Sequence, residues 1–266
     1  MPEQFVVDAF CSGPFTGNPA AVVPLEAWLP ESTMQAIAAQ NNLSETAFFV
    51  DGDIPELRWF TPAAEIDLCG HATLATAHVL FSELKDSRES VEFQSKGGPL
   101  RVGRAADGYA LDFPEIELAP LSLDEPEVAA AAAAIGTECV GAFRADWLIV
   151  ELVDADAVRG LRPNIDAIGA LPGGDLVVTA PGSGEFDICS RAFAPGVGIP
   201  EDPVTGSVHC ALVPFWSKRL GKPALLCEQA SERGGVLTGQ WRAADSRVDL
   251  IGACRTFLRG EIDVSG

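Results

Sequence analysis

The sequence predicts an α+β protein made of two similar lobes, each with a curved, mostly antiparallel sheet around one central helix. Residues 58–62 read RWFTP, and residues 191–195 read RAFAP. Downstream of each segment a glycine, Gly70 or Gly206, opens an apolar, helix-like stretch. Each half supplies one long apolar helix and many short strands. We therefore predict an internal duplication, the alternative being a chance similarity of two short strings.

In the first half, short apolar runs are separated by turn residues, which is the pattern of consecutive strands. Pro30 precedes a helical pattern whose apolar positions recur on one face. The predicted elements are strands at residues 4–10, 20–24, 46–50, 56–60, 91–95, 100–104 and 109–113, and helices at residues 31–40 and 72–81.

The second half repeats this order. Its predicted elements are strands at residues 147–153, 175–180, 185–193 and 247–259, a helical turn at residues 166–171 and a helix at residues 208–220. Between the halves, Pro120 and Pro126 interrupt both strand and helix patterns. We predict an N-terminal lobe over residues 1–115 and a C-terminal lobe over residues 116–266, with the last strand, about residues 250–262, free to return to the N-terminal lobe.

Composition and charge exclude several classes of function. Of the 266 residues, 47% are hydrophobic and 21% are charged, which is typical of a globular protein. The net charge of −20 argues against nucleic acids and anionic membranes as partners, because these need clustered Lys and Arg. The apolar run at residues 128–135 is too short for the roughly 20 residues of a membrane span.

Neither the first residues nor the cysteines indicate export. Residues 1–8 lack a signal-peptide pattern and are predicted to form a first strand. The seven cysteines are scattered without a repeated spacing, as expected of reduced thiols rather than of a disulfide framework. We therefore predict a cytoplasmic protein.

The first candidate site lies in residues 67–73. Gly70 allows a tight turn, and His71 falls in the first turn of the next helix, where backbone N–H groups can bind a carboxylate. The helix dipole disfavours an imidazolium there, so His71 is expected to be neutral and to donate or transfer protons. The same position is expected to lower the pKa of the Cys69 thiol. The alternatives are a helix-start histidine and a packing cysteine.

The second candidate segment, residues 201–207, mirrors the first. Asp202 precedes a turn fixed by a proline, and Gly206 and Ser207 offer backbone N–H groups and a hydroxyl at a helix start. An acid, N–H donors and a hydroxyl therefore lie together. The alternative assigns Thr205 and Ser207 to helix capping and Asp202 to pairing with the helix dipole.

Glu45 immediately precedes the apolar run at residues 46–50. A carboxylate that is partly desolvated in this way can take a proton and return it, as an isomerase requires. The alternative is a solvated residue at the start of a strand. The corresponding place in the second half, near Gly174 and Asp175, is shorter and glycine-rich, so the halves are expected to differ in catalysis. Asn18, in a Gly-Asn-Pro turn, is a candidate for lining the same cleft.

The sequence carries no recognisable cofactor motif. The glycines at residues 196–198 lack the helix and the downstream acid of a dinucleotide-binding fingerprint. Two Cys and His pairs, within residues 69–71 and 209–210, lack the spacings of zinc sites. These patterns therefore indicate no nicotinamide or flavin site and no metal site.

Six motifs occur in order along the chain: DAF at residues 8–10, FTGNPA at 15–20, NLSET at 42–46, DLCGHAT at 67–73, FAPG at 193–196 and EDPVTGS at 201–207. Together they resemble the PhzF-like isomerases of phenazine biosynthesis. The resemblance spans almost the whole chain and indicates the family, not the substrate. It implies the diaminopimelate-epimerase-like fold, an active site in a cleft between two lobes, no cofactor and commonly a homodimer.

The resemblance also indicates which residues form the active site. The family's proton-transferring glutamate falls on Glu45. Its other active-site positions are matched by Gly70, His71, Asp202, Gly206 and Ser207. We predict a cofactor-independent isomerase that shifts a proton between carbons of a small anionic, carboxylate-bearing metabolite. The predicted catalytic residues are Glu45, His71 and Asp202, and the predicted substrate-binding residues are Gly70, Gly206, Ser207, Asn18 and Cys69.

Two rival functions are kept open. More distant racemases and epimerases of this fold use two opposed cysteines; Cys69 matches one, but Asp202 and Pro203 stand where the second is expected. The first rival is therefore an amino- or hydroxy-acid racemase in which Cys69 works with an acid. The second is a binding or interaction protein that retained the fold without the chemistry.

Overall fold

The computed structural model describes residues 1–264. The chain forms two compact units, one from residues 1–112 together with the segment that begins at Ile251, the other from residues 113–250. The strands are β1 (Glu3–Ala9), β2 (Asn18–Leu25), β3 (Glu45–Val50), β4 (Glu56–Phe60), β5 (Glu65–Ile66), β6 (Ser90–Ser95), β7 (Gly98–Ala105), β8 (Gly108–Pro114), β9 (Ala119–Pro120), β10 (Gly141–Arg144), β11 (Leu148–Glu151), β12 (Leu176–Pro181), β13 (Ile188–Ala194), β14 (Ile199–Asp202), β15 (Ala224–Gln229), β16 (Gly235–Arg242), β17 (Arg247–Gly252) and β18 (Cys254–Glu261). The helices are α1 (Glu31–Asn41), α2 (Gly70–His78), α3 (Pro126–Ile135), α4 (Ala155–Gly160), α5 (Ile165–Gly169) and α6 (Gly206–Leu220), and a π-helical turn, Val79–Glu83, extends α2.

The sheet of the first unit has the strand order β18–β1–β2–β3–β4–β6–β7–β8. Neighbours are antiparallel except in the pairs β2–β3 and β4–β6. Each parallel pair is joined by a helical crossover, because a tight hairpin can join only antiparallel strands. Helix α1 joins β2 to β3 and buries Met34 and Ala38 in an apolar cluster. Helix α2 lies between β4 and β6 in the chain.

Helix α2 is enclosed by the sheet of the first unit. It packs against β1, β2, β3, β7 and β18, and the residues from His71 to Ala77 are all buried. A helix buried on every side must carry apolar or small residues all round, as the sequence HATLATA does. Its two threonines donate to carbonyl oxygens one turn earlier, at 2.5 and 2.7 Å. The enclosed helix therefore holds His71 inside the unit.

The second unit repeats the plan with the strand order β9–β10–β11–β12–β13–β15–β16. Its parallel pairs are β11–β12 and β13–β15. Helix α6 precedes β15 in the chain, packs against β15 and β16, and has ten of its fifteen residues buried. The first-unit pairs β2–β3, β3–β4 and β4–β6 thus recur as β11–β12, β12–β13 and β13–β15.

The two similar sequence segments make the same contacts in their two units. The guanidinium of Arg58 donates to both oxygens of Glu65 at 2.7 and 2.8 Å, and that of Arg191 to both oxygens of Glu201 at 2.7 and 3.0 Å. Each also lies over an aromatic ring two residues further along its strand, at 5.2 and 5.0 Å from the centroid. The repeated contacts, together with the repeated topology, confirm the predicted duplicated α+β fold.

Two sequence predictions about the elements are wrong. The second unit holds more than one long helix, because α3 joins the core through Val128, Ala131 and Ile135. The predicted strand at residues 247–259 is broken into β17 and β18. Its break follows Gly252, where a Cβ would lie 2.3 Å from the ring of Phe10, so the chain bends past this ring. Strand β18 then pairs with β1 in the first unit.

Over the described part of the chain, no helix combines the length and apolar character needed to cross a membrane.

Candidate active site

Glu45 begins β3 and is buried, with 7% of its surface exposed. Strand β3 lies inside the sheet between β2 and β4. Ala20 of β2 is its partner in register. The alternative of a solvated carboxylate at a strand start is therefore wrong.

His71 faces Glu45 from the first turn of α2. The Nε2 atom of His71 and the Oε2 atom of Glu45 lie 3.1 Å apart. Both atoms are buried, and neither has a hydrogen-bond partner among the described residues. The pair is therefore held within contact distance while both atoms keep hydrogen-bonding capacity, as required of groups that exchange protons with a ligand.

The opposite nitrogen of the imidazole faces two further side chains. The Nδ1 atom of His71 lies 3.3 Å from the amide nitrogen of Asn18 and 3.6 Å from the thiol sulfur of Cys69. Asn18 begins β2 and is fully buried, and Cys69 is the residue before α2. The structure thus brings together Glu45, His71, Asn18 and Cys69, which are predicted from separate segments of the sequence.

Charge in this cluster differs from the sequence-based expectation. Burial alone would lower the pKa of His71, but the acidic neighbours Cys69 and Glu45 outweigh burial and raise that pKa well above its usual value. The direction of this shift is opposite to the one expected from the helix dipole alone. The dipole of α2 is a partial charge, whereas the carboxylate of Glu45 is a full charge at 3.1 Å.

The thiol of Cys69 is also unlike the sequence-based expectation. Burial and the neighbouring Glu45 raise the pKa of Cys69, and His71 offsets this only in part. The expected lowering by the helix N-terminus is therefore wrong, because loss of solvation dominates for a buried thiolate. A raised pKa favours the thiol form of Cys69, which is a poorer nucleophile than the thiolate.

Three of these groups form a potential donor set for a metal ion. Ligand atoms of Glu45, Cys69 and His71 all lie within 4.8 Å of one another. However, the carboxylate approaches Nε2 and the thiol approaches Nδ1 of the same ring. The lone pairs of these nitrogens point in different directions, so one ion cannot use the close contacts on both sides. The arrangement fits a row of acid, imidazole and thiol better than a chelate.

The second predicted segment lies in the second unit. Asp202 ends β14, and Gly206 and Ser207 begin α6. The Thr205 hydroxyl donates to Oδ2 of Asp202 at 2.5 Å and makes no capping bond to the helix. The capping alternative is therefore wrong for Thr205. Gly206 is buried and Ser207 is half-buried.

His209 and Cys210 are engaged within the second unit. The ring nitrogens of His209 lie 2.9 Å from the Thr205 carbonyl oxygen and 3.5 Å from the Ser190 hydroxyl. Burial lowers the pKa of His209 to about 4. The Cys210 sulfur donates to the Gly206 carbonyl oxygen at 3.6 Å. These contacts give both residues a structural role in α6.

One residue near Asp202 is missed by sequence reasoning. Gln229, at the end of β15, is fully buried and hydrogen-bonds to both Asp202 and Thr205. No local motif marks it, because its partners lie more than twenty residues earlier in the chain. Only the parallel pairing of β13 with β15 brings it to this turn.

Comparisons with known proteins agree with this architecture. A probable proline racemase from Agrobacterium radiobacter has the same fold, with a TM-score of 0.60 at 10% identity over 100% of this chain and 94% of that one. At this level of identity the likeness concerns the fold alone. Residues 7–260 match the model of the phenazine biosynthesis-like protein family, and the chain belongs to that family.

Nearer relatives identify the class of enzyme. An uncharacterized isomerase of Pseudomonas aeruginosa is 45% identical over 266 residues, which cover 99% of both chains. The crystal structure of a PhzF-family phenazine biosynthesis protein from Enterococcus faecalis superposes with a TM-score of 0.93 at 45% identity, covering 99% of both chains. The protein is therefore an isomerase of the PhzF-like type.

Proposed function

We propose that this isomerase needs no cofactor and shifts a proton between carbons of a small, carboxylate-bearing metabolite. The observation that carries the proposal is the buried contact between Glu45 and His71, with 3.1 Å between carboxylate and imidazole. A buried acid in contact with an imidazole is a pair suited to proton transfer, because water does not disperse charge around it.

In the proposed reaction, the Glu45 carboxylate takes a proton from an acidic C–H bond of the substrate. The C–H bond breaks, an O–H bond forms on Glu45, and the electron pair remains on the substrate as a delocalised anion. Glu45 then returns the proton to a different carbon of the same molecule, so atoms and charge balance. His71 stabilises the carboxylate before transfer and the substrate anion after it.

The N-terminus of α2 is proposed to bind the carboxylate of the substrate. Backbone N–H groups in the first turn of a helix have no intrahelical acceptor, and the helix dipole favours a negative charge. Gly70 opens this helix without a side chain, which leaves room for an anion close to the backbone. The Glu45 and His71 pair lies beside this turn, so binding and proton transfer would use neighbouring groups.

Asp202, Gly206 and Ser207 are proposed as further substrate contacts. Their assignment is supported by the family motif and by the repeated topology, in which α6 begins with Gly206 as α2 begins with Gly70. Asp202 would steer protonation, and Ser207 would donate a hydrogen bond. Asp202→Asn is expected to lower turnover about tenfold or more, because it removes a charge from the reaction.

The test is a screen for hydrogen exchange. A panel of carboxylate-bearing metabolites is incubated with the enzyme in heavy water, and deuterium incorporation is followed by mass spectrometry. The wild-type protein is expected to isomerise its substrate, with deuterium incorporated in the turnovers in which the proton on Glu45 exchanges with heavy water before its return. Glu45→Gln is expected to bind that substrate without turnover. Circular dichroism and thermal unfolding verify that the variant is folded. Full activity of Glu45→Gln would exclude the proposed role.

The second candidate is an amino- or hydroxy-acid racemase that uses Cys69. Its support is the 3.6 Å contact between the Cys69 sulfur and His71, which places a thiol in the same cluster. The raised pKa of Cys69 opposes it. The position before the helix glycine, Cys69 in α2, is occupied in α6 by Thr205, so a second thiol is not supplied there.

We further propose a cytoplasmic homodimer that binds a small anionic metabolite and neither nucleic acid nor membrane. The seven cysteines are free thiols, in agreement with a reducing compartment. Light scattering after size-exclusion chromatography measures the oligomeric state directly. Binding of a metabolite without any deuterium exchange would instead favour a binding protein that lost the chemistry.

A further inference from the structure

Gln229 joins both ends of the turn that carries Asp202. Its Oε1 atom accepts a hydrogen bond from the Thr205 backbone N–H at 2.8 Å. Its Nε2 atom donates to the Asp202 carbonyl oxygen at 2.8 Å and to the Thr205 hydroxyl oxygen at 3.1 Å. The side chain is fully buried, so water cannot replace these bonds.

The hydrogen bonds fix the direction of the Thr205 hydroxyl. A backbone N–H can only donate, so the amide oxygen of Gln229 must face it, and the amide nitrogen must face the other two groups. The Thr205 oxygen therefore accepts from Gln229 and directs its own proton to the Asp202 carboxylate, 2.5 Å away. A directed chain runs from Gln229 through Thr205 to Asp202.

We infer that Gln229 is a positioning residue that holds the Asp202 carboxylate in its orientation by fixing the proton of the Thr205 hydroxyl. The inference rests on the proposed participation of Asp202 in the reaction. A carboxylate that accepts an oriented hydroxyl proton is held in place through the oxygen that accepts it.

A neighbouring residue offers a matched control for a merely structural role. The Ser231 hydroxyl donates to the Pro203 carbonyl oxygen at 2.8 Å. It thus also ties the turn to the end of β15 but does not touch the hydroxyl chain. If Gln229 only stabilises the turn, removing the Ser231 bond should have a comparable effect on Asp202.

The experiment uses four single variants and one double variant of the full chain. Thr205→Val removes the hydroxyl without changing charge, and Thr205→Ser retains it. Gln229→Glu retains the acceptor for the Thr205 N–H but replaces the amide donor by an acceptor, so the hydroxyl proton turns towards residue 229. Ser231→Ala is the control, and Thr205→Val with Gln229→Glu is the double variant.

The first readout needs no substrate. The pH titration of the Asp202 carboxyl carbon is followed by NMR in each variant. Its midpoint should move upward in Thr205→Val, because a carboxylate that loses a donor is less stable in its charged form, and further upward in Gln229→Glu, which also adds an acidic group nearby. It should stay unchanged in Thr205→Ser and Ser231→Ala. An unchanged midpoint in Thr205→Val, or an equal shift in Ser231→Ala, would overturn the inference.

The second readout is the rate of deuterium exchange into the substrate. Thr205→Val and Gln229→Glu should each reduce kcat about tenfold, the value of a hydrogen bond to a charged group, with a smaller change in KM. The kcat of the double variant should be at most about threefold lower than that of the slower single variant, because both substitutions act through the same hydroxyl. Independent, multiplying effects would contradict the inference. Shifted titrations with unaltered catalysis would leave the hydrogen-bond chain intact and refute the proposed role of Asp202.

Discussion

Asp175 is the structural counterpart of Glu45. Phe48 of β3 pairs with Arg58, and Glu45 lies three residues before it; Val178 of β12 pairs with Arg191, and Asp175 lies three residues before it. The two acids therefore occupy the same register position in the repeated sheets. Their surroundings differ, because the helix residue after the glycine is His71 in α2 and a serine in α6.

Replacing Asp175 should stabilise the protein. One oxygen of this carboxyl is buried without a hydrogen-bond partner among the described residues, and burial raises the pKa of Asp175. A carboxyl group with a raised pKa in the folded state destabilises the protein once the pH exceeds the pKa of the same group in the unfolded chain. Asp175→Asn should thus increase the free energy of unfolding at pH 7, by less than about 1 kcal/mol because the group is partly solvated. Urea unfolding at pH 7 and at about pH 3.5 measures this, and a gain that persists in acid would contradict it.

The stability contribution of His71 should depend on pH in a defined direction. Its pKa is raised in the folded state, so the folded protein holds a proton that the unfolded chain loses near pH 6.5. The contribution is fully present below that pH and is lost as pH rises through the folded pKa. Urea unfolding of wild type and His71→Asn from about pH 5.5 to 9 should show a difference that shrinks with rising pH.

His78, at the other end of α2, provides the opposite control. Burial lowers the pKa of His78, and Glu83 offsets this only in part. The folded protein therefore resists protonation of His78, and its advantage over His78→Asn should shrink as pH falls below about 6.5. If the stability differences between wild type and the two variants changed with pH in the same direction, the raised pKa of His71 would be contradicted.

Cys69 should react slowly and be dispensable for proton transfer. Its raised pKa leaves little thiolate at neutral pH. Iodoacetamide labelling, followed by mass spectrometry, should be slower than that of a free cysteine, and Cys69→Ser should keep most of the exchange activity. Rapid alkylation that substrate prevents, with loss of activity in Cys69→Ser, would instead support the racemase.

The two repeated ion pairs should differ in stability according to their burial. The side chain of Arg191 is 9% exposed and that of Arg58 is 26% exposed. Glu201→Gln leaves a buried guanidinium without its carboxylate and should cost about 3 kcal/mol. Glu65→Gln should lower the free energy of unfolding by about 1 kcal/mol or less, because Arg58 is more exposed to solvent and keeps its ion pair with Glu31 at 3.0 Å. Urea unfolding measures both, and equal costs would refute burial as the cause.

Local patterns suffice for most of the elements. Strand β4 is predicted at residues 56–60 and observed there, because its apolar residues are bounded by polar turns on both sides. Helices α2 and α6 begin two residues earlier than predicted, since their glycines are already helical. Helix α3 begins two residues before the helix-like apolar run at residues 128–135, and its place in the core becomes visible only with the residues packed against it.

The chemistry of the site is less accessible from sequence. The residues of the first cluster are named by their motifs, but the direction of the pKa shift of His71 depends on Cys69 and on the Glu45 carboxylate, which is 26 positions away in the chain and 3.1 Å away in space. A helix dipole can be inferred locally; a tertiary ion pair cannot. Gln229 likewise becomes visible only through its tertiary hydrogen bonds to Asp202 and Thr205. The participation of Asp202, Gly206 and Ser207 in substrate binding stays a prediction.

The pairing of β18 with β1 has a consequence for how the protein is made. Strand β1, from Glu3 to Ala9, finds its outer neighbour only in residues 254–261. The second unit is a continuous segment and can fold as soon as it emerges from the ribosome. The first unit can complete its sheet only after β18 has been translated. The amino-terminal half is thus translated first and completed last.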